Sequence, residues 1–293
     1  MATHILCIVG PTASGKSARA VEEALTRNGE VISVDSRQVY RGLDIGTEKI
    51  TREEIRQLAE RGVPHHLINI RDINETYSAG DFVTDATRLI KEITARGKLP
   101  ILVGGTHFYF DALLKGLPTE IDANPALRAE LEKLSTEELY ARVCSSDARR
   151  AENLDPKNRR RLIRALEIIG TFGSVPVRPS LRSGSRYRSE WIVIDPPKEE
   201  LRARIDTRLK SALERGLVEE VRRVREQYGY ERLNELGLEY KIIGEFLNLE
   251  VELPSSLGSS TSKLLLDALS AKLWQYARHQ KAWLRKLHNE IIK

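Results

Sequence analysis

The residues best suited to chemistry are Gly10-Pro11-Thr12-Ala13-Ser14-Gly15-Lys16-Ser17, which fit the phosphate-binding pattern G-x-x-x-x-G-K-[ST]. The glycines let the backbone curl so that successive N–H groups point inward and attract an anion. Lys16 adds a positive charge for the terminal phosphate, and Ser17 adds a hydroxyl for Mg²⁺. A chance match in a turn rich in glycine and serine is the alternative. The pattern indicates a polyphosphate ligand, but it does not indicate which reaction.

The elements around this loop are those that the motif requires. An apolar, β-rich run at 5–9 precedes it, and apolar residues at helical spacing follow it. Further strands are predicted at 30–34, 67–70, 99–103 and 191–195, with an amphipathic helix at 81–97. This alternation predicts an α/β fold: a P-loop NTPase-like core with a parallel sheet flanked by helices.

A helical insertion interrupts this pattern. From about residue 117 to 189 the sequence is charged and helical, with a capping box where Ser135 precedes Glu138 by three residues. Residues 173–189, rich in Gly, Pro, Ser and Arg, form the connection back. We therefore divide the chain into a core, 1–116 and 190–293, and an insertion domain, 117–189. A long helix is predicted from 262 to about 288.

Composition excludes several classes of protein. The 293 residues include only two cysteines, which argues against a disulfide framework or a cysteine zinc site and favours a reducing compartment. No apolar stretch approaches the length of a membrane-spanning helix, which is about 20 residues. We expect a cytoplasmic protein without a membrane partner. The net charge of +5 is compatible with a nucleic-acid partner.

Polar residues follow two of the predicted strands. Asp35 comes directly after the second strand, and Gly104-Gly105-Thr106 follows the fourth. Ligands of open α/β sheets bind at the carboxyl ends of the strands, so both segments are candidates for the site. A local cap is the alternative role for Asp35. The fourth strand ends without the carboxylate that many P-loop ATPases place there, which counts against a hydrolase.

Basic residues cluster in two helices. Five of the eight residues 157–164 are basic, and Arg160, Arg161 and Arg164 group on one side of a helix. A solvated helix face would explain this cluster equally well. Arg204 and Arg208 lie one helical turn apart, where ion pairs with Glu200 or Asp206 are the alternative to ligand binding.

Together, several separated stretches resemble the tRNA dimethylallyltransferases, also called tRNA isopentenyltransferases. The matching stretches are 10–17, 33–40, 43–49, 103–106, 161–167 and 276–285. Only the first is common to P-loop proteins in general, so the combination carries the resemblance. The chain lacks the two-Cys, two-His zinc finger of eukaryotic members and resembles the bacterial form.

The resemblance implies a reaction and a donor site. A dimethylallyl group passes from dimethylallyl diphosphate to N6 of the adenosine on the 3′ side of the tRNA anticodon, and diphosphate is released. Residues 10–17 would hold the donor, with Mg²⁺ at Ser17 as the cofactor. Lys16 and Arg208 would contact the diphosphate and stabilise it as it leaves. We expect the enzyme to be a monomer.

The resemblance also implies the acceptor site. Asp35 would accept the N6 proton as the general base, and Thr106 would help to fix the reacting geometry. The insertion would correspond to the domain that grips the anticodon stem-loop of the tRNA. The residues implied in tRNA contact are Asp35, Ser36, Arg37, Gln38, Thr106, Arg128, Arg160, Arg161, Leu162, Ile163 and Arg164.

The chain departs from the family at a few positions, and other classes remain as alternatives. Asp155 stands where the family often has His, Ala282 replaces a common Thr, and 237–241 varies a shorter Leu-Gly-Tyr-Lys pattern. A P-loop nucleotide kinase, an adenylate prenyltransferase and a nucleic-acid-binding module are the competing interpretations. The basic insertion argues against the first two, because a small acceptor needs no extended positive face.

Overall fold

Five parallel strands form one sheet in the computed structural model, which describes residues 2–117, 124–176, 187–249 and 260–292. In chain order they are β1 (Thr3–Val9), β2 (Gly29–Val34), β3 (His65–His66), β4 (Leu99–Gly104) and β5 (Tyr187–Val193). Across the sheet the order is β3-β2-β4-β1-β5. Gly104 pairs with both Val9 and Val34, so β1, β2 and β4 end at the same level. The segments after these strands therefore leave the sheet at one edge, and the predicted α/β fold is confirmed.

Strand β3 is shorter than the sequence pattern suggested, and it begins earlier. The prediction placed a strand at 67–70, whereas Val31 of β2 pairs with His65. Leu67 and Asn69 have left-handed φ values of 62° and 56°, which interrupt the extended backbone. The predicted position of this strand was therefore wrong by about two residues.

The chain divides into two compact units, residues 1–114 with 185–293 and residues 115–184. In the described part of the chain, helices α1 to α4 span Lys16–Thr26, Arg52–Glu60, Ala79–Ala95 and His107–Lys115. Helices α5 to α8 span Pro125–Leu131, Thr136–Ser146, Ala148–Ala151 and Arg159–Phe172. Helices α9 to α12 span Lys198–Glu214, Leu217–Leu236, Leu238–Asn248 and Ser260–Ile292. None of the helices in these ranges combines the length and apolar character that crossing a bilayer requires.

The larger unit is built around the sheet. One face of the sheet packs against α1, and buried residues of β1, β2 and β4 form this core with Ala20 and Ala24. Helix α2 contrasts with α1, because none of its residues is buried, although Thr51 and Glu54 form a complete capping box at its start. Helix α10 contains a kink at Gly229, whose φ of 81° and ψ of 167° are not helical.

The smaller unit is helical and has its own core. Leu139 and Val143 of α6 and Leu162 of α8 are fully buried in it. The predicted capping box is present, since the Ser135 hydroxyl accepts from the Glu138 backbone and the Glu138 side chain accepts from the Ser135 N–H. From the sequence we expected boundaries at 117 and 189. Residues 177–186 of the predicted connection lie outside the described residues.

Candidate functional site

The loop between β1 and α1 has the geometry of an anion cradle. Ala13 and Gly15 have left-handed φ values of 61° and 91°, and the second is a position where glycine adds no steric cost. Gly15 is the N-cap of α1, and no side chain caps the first turn, so its backbone N–H groups stay available to a ligand. The Ser14 hydroxyl is buried without a hydrogen-bond partner among the described residues. It can therefore donate to an incoming oxygen anion.

Lys16 lies folded over this loop. Its Nζ donates to the Pro11 carbonyl at 2.6 Å. Burial lowers the pKa of Lys16 from its usual 10.5 to about 8, while the Asp35 charge opposes that shift. An anion bound on the loop would favour the charged form in the same way that Asp35 does. The lysine is thus placed to neutralise a phosphate.

Asp35 and Thr106 follow the ends of β2 and β4, and both line the same cavity. One carboxylate oxygen of Asp35 accepts from the backbone N–H groups of Arg37 and Gln38, at 2.8 and 3.1 Å. The Thr106 hydroxyl accepts from the Ser36 N–H at 3.1 Å. Asp35 therefore does cap the local turn, as the alternative interpretation held. The same turn carries Asp35 into the lining of the cavity beside Lys16.

Gln280 joins two of the segments at this edge, and no local sequence pattern pointed to it as a site residue. It lies on α12, only 2% exposed, and its Oε1 accepts from the Thr12 N–H at 2.8 Å. Its Nε2 donates to the Gly105 carbonyl at 3.0 Å. Position 280 lies within one of the family-like stretches, which was the only signal. The side chain holds the phosphate loop to the segment after β4.

The two arginines of α9 both reach the phosphate loop. Arg208 donates to the Thr12 hydroxyl and, at 3.0 Å, to the Gly46 carbonyl. Arg204 donates to the Ser14 carbonyl at 3.2 Å and pairs with Glu200 at 2.6 Å. The ion pair with Glu200 that the sequence suggested is thus found for Arg204 only.

A buried carboxylate fixes the segment that supports Arg208. The Glu220 carboxylate accepts from the backbone N–H groups of Asp44, Ile45 and Gly46 at 2.8–3.0 Å, and from the Tyr240 hydroxyl at 2.7 Å. Because each N–H neutralises part of its charge, the carboxylate is stable at 1% exposure. It therefore sets the position of the Gly46 carbonyl, which Arg208 contacts. No local pattern in the sequence pointed to Glu220.

These side chains line one cavity of about 1300 Å³ in the larger unit. Its walls include the phosphate loop, the turn 35–38, residues 103–106 and parts of α9, α11 and α12. The turn residues Ser36, Arg37 and Gln38 are half-buried there. The Ser33 hydroxyl donates to Oε1 of Gln38 at 3.0 Å. The Nε2 of Gln38 donates in turn to the Thr47 carbonyl.

The oxygen ligands at the loop suit Mg²⁺ shared with a phosphate ligand. Ser17 is exposed at the start of α1 and lines the cavity. Among the described residues there is no group of three or more His, Cys, Asp or Glu side chains that could hold a metal by themselves. Mg²⁺ is commonly held by few protein oxygens together with phosphate oxygens and water. The residues present therefore fit an ion that arrives with a diphosphate.

In the smaller unit, ion pairs change the interpretation of the basic cluster. Glu167, with its side chain 1% exposed, accepts two hydrogen bonds from Arg128 at 2.8 and 2.9 Å and one from Arg164 at 3.1 Å. Burial raises the pKa of Glu167, but its arginine hydrogen bonds outweigh this, and the net shift is downward. Arg160 and Arg161 are exposed. Contacts of these four arginines with tRNA stay predictions.

The structure assigns Leu162 and Ile163 a role in packing. Both belong to the core of the smaller unit, at 0% and 4% exposure. Side chains so deeply buried have no surface to offer an RNA. Their contact with tRNA stays a prediction that this burial does not support.

Comparisons with known proteins give a consistent result. The family model described as IPP transferase matches residues 38–287. The tRNA dimethylallyltransferase of Thermomicrobium roseum is 42% identical over 292 residues, covering 97% of this chain and 84% of that protein. The protein of the same name from Streptococcus sanguinis is 38% identical, covering 97% and 90%.

Solved structures agree with these matches. The tRNA isopentenylpyrophosphate transferase of Bacillus halodurans superposes with a TM-score of 0.67 at 37% identity, covering 96% of this chain and 86% of that one. A eukaryotic dimethylallyltransferase acting on tRNA superposes with a TM-score of 0.75 at 27% identity, covering 96% and 70%.

Proposed function

Since this chain belongs to the IPP transferase family, we propose that it transfers a dimethylallyl group from dimethylallyl diphosphate to tRNA. The acceptor is N6 of the adenosine on the 3′ side of the anticodon, and diphosphate is the second product. The chain is thus a prenyltransferase that modifies tRNA. The observation that carries this proposal is the convergence of an anion cradle, Lys16, Arg208 and Asp35 on one cavity.

The donor site would be the phosphate loop. Its free N–H groups and the start of α1 bind the diphosphate oxygens. Lys16 and Arg208 then neutralise the charge that develops as the C1–O bond breaks, and the loop needs no reorganisation to do so. Mg²⁺, held at Ser17, would supply further charge neutralisation at the diphosphate.

The acceptor chemistry would depend on Asp35. The N6 nitrogen forms a bond to C1 of the prenyl group, the C1–O bond breaks, and Asp35 takes the N6 proton. The N–H groups of Arg37 and Gln38 fix one of its oxygens, so the carboxylate is oriented before the base arrives. Thr106 keeps the turn in place through Ser36. Holding the amine against the prenyl carbon would contribute roughly 7–11 kcal/mol of the barrier reduction.

The polynucleotide would be bound by charge and by shape. Ser36, Arg37 and Gln38 line the cavity that the flipped adenine would enter, and flipping costs a few kcal/mol. Arg160 and Arg161 would contact backbone phosphates, because they are exposed on the smaller unit. We further propose that the enzyme is monomeric and acts in the cytoplasm, where tRNA is found.

The test is a transfer assay with labelled dimethylallyl diphosphate, Mg²⁺ and an anticodon stem-loop, followed by mass spectrometry of the nucleosides. We expect a dimethylallyl group on N6 of one adenosine, no transfer to free AMP and no phosphate release from ATP. Lys16→Ala should abolish transfer. Phosphate release from ATP without label in the RNA would contradict the proposal and favour a kinase or NTPase.

A further inference from the structure

A second buried carboxylate, Glu239, lines the same cavity. Its side chain is 5% exposed, and it pairs with Arg208 at 3.3 Å. It lies in the first turn of α11, where the helix N-terminus favours negative charge. An acid in a site that binds a polyanion is unexpected, because like charges at short range repel. The reaction described above assigns no role to it.

The backbone around Glu239 is strained. Gly237 has a φ of 70° and Leu238 a φ of 45°, so two left-handed residues in succession lead into α11. A left-handed non-glycine residue is unfavourable and persists where the surrounding structure requires it. Here the two residues start the helix so that Glu239 is directed into the cavity.

Arg208 makes three hydrogen bonds to protein groups through the two ends of its guanidinium. Its contacts are the Thr12 hydroxyl, the Gly46 carbonyl and Glu239, and the last is the longest. A diphosphate on the phosphate loop would lie beside Thr12. The diphosphate would compete with Glu239 for the guanidinium of Arg208, and the carboxylate is the partner that the incoming negative charge repels.

We propose that Glu239 holds Arg208 before the donor binds. When dimethylallyl diphosphate replaces Glu239 as the partner of Arg208, Glu239 takes up a proton from solvent. This inference rests on the proposed function, since it assumes that diphosphate donor. The charged groups that act on Glu239 are Arg208, Asp35 and Glu48. Burial, assisted by the two carboxylates, raises the pKa of Glu239 although Arg208 opposes this. A diphosphate that shares Arg208 weakens this opposing charge and adds negative charge beside Glu239, so the protonated form of Glu239 is favoured.

The consequence is that donor binding consumes a proton, so its affinity falls as pH rises. A glutamine at this position would neither hold Arg208 by charge nor repel the diphosphate. We therefore expect E239Q to bind dimethylallyl diphosphate about tenfold more tightly, equivalent to about 1.4 kcal/mol. E239D, which keeps the charge but withdraws it by one methylene group, should lie between the wild type and E239Q.

The experiment is calorimetric titration of the full-length protein with dimethylallyl diphosphate and Mg²⁺ at neutral pH, in two buffers of different ionisation enthalpy. The wild type should take up more protons than E239Q, by up to one per site, and E239D should take up an intermediate number. Subtracting the proton uptake of each variant from that of the wild type removes the protons bound by the diphosphate itself. The matched control is E245Q on the same helix, where Glu245 forms an exposed pair with Lys241.

Each outcome has one meaning. Equal affinity and equal proton uptake in the wild type, E239Q and E239D would overturn the proposal. If E239Q does not fold, as judged by circular dichroism, the same comparison between the wild type and E239D decides. A wild-type protein that does not bind the donor at all would contradict the proposed function and not this inference alone.

Discussion

Replacing Gln280 by leucine should disconnect the phosphate loop from the segment after β4. Leucine fills a similar volume but can neither accept from Thr12 nor donate to Gly105. The hydrogen bonds that it removes measure 2.8 and 3.0 Å, and the side chain is 2% exposed. The substitution therefore leaves the partly buried Thr12 N–H without its acceptor, and it leaves the Gly105 carbonyl with only the longer 3.5 Å bond from the Tyr276 hydroxyl.

The expected cost follows from those two groups. A buried polar group without a partner costs about 1–3 kcal/mol, so loss of the Thr12 bond should lower the free energy of unfolding by up to about that amount. Loss of the Gly105 bond should cost less, because that carbonyl keeps its Tyr276 contact. Near room temperature the loss of transfer activity should be larger than the loss of folded protein, because Thr12 also contacts Arg208. We expect weaker donor binding and a slower transfer step at temperatures where Q280L is fully folded.

Urea unfolding and single-turnover transfer are the two measurements. The matched control is Q275L, since Gln275 is exposed on the same helix and contacts only Lys272 among the described hydrogen bonds. Its unfolding free energy should stay within about 0.5 kcal/mol of the wild type. If Q280L behaved like Q275L in both assays, the role of Gln280 as the connection between the two loops would be refuted.

Four further predictions concern the proposed site and the smaller unit. Asp35→Asn should slow single-turnover transfer by about 10²–10⁴-fold with nearly normal donor affinity, as expected for loss of a general base; an unchanged rate would exclude that role. Donor affinity in calorimetry should fall above about pH 8, where Lys16 loses its proton in the free site. Between about pH 8 and pH 10.5, Lys16 is protonated more in the unfolded chain than in the folded protein. The contribution of Lys16 to the free energy of unfolding therefore rises with pH over that window. Replacing Arg160 and Arg161 by alanine should flatten the salt dependence of tRNA binding by about one unit of slope per lost phosphate contact, and an unchanged slope would show a solvated face. Arg128→Ala, by contrast, should lower stability in urea unfolding by about 1–3 kcal/mol, because it breaks a pair with a buried acid.

The parts of the site that sequence predicted are those that depend on neighbouring residues in the chain. The phosphate loop needs glycine at one fixed backbone position and a helix directly after it, so a short pattern carries its geometry. Asp35 and Thr106 could be predicted as site residues because parallel strands that end side by side bring their carboxyl ends together. The same local reasoning failed for β3, because a helical or extended preference does not reveal left-handed residues such as Leu67.

The parts that sequence did not predict depend on contacts between distant residues. Gln280 meets Thr12 across 268 positions, and Glu220 meets Gly46 across 174. In the smaller unit, positive charge in the sequence did not show which arginines form ion pairs. Arg128 and Arg164 look like Arg160 and Arg161 in a list of residues, yet only the first two share the buried Glu167. Which arginines are paired depends on the packing of α5 against α8.

The contact between Gln280 and Thr12 has a consequence for the order in which the protein becomes active during synthesis. The phosphate loop is synthesised before α12, and it carries the complete sequence motif for binding a diphosphate. The side chain that joins it to Gly105 follows only after the sheet, the smaller unit and most of α12 have been made. A nascent chain should therefore remain without transfer activity until α12 docks, although its phosphate-binding motif has already been made.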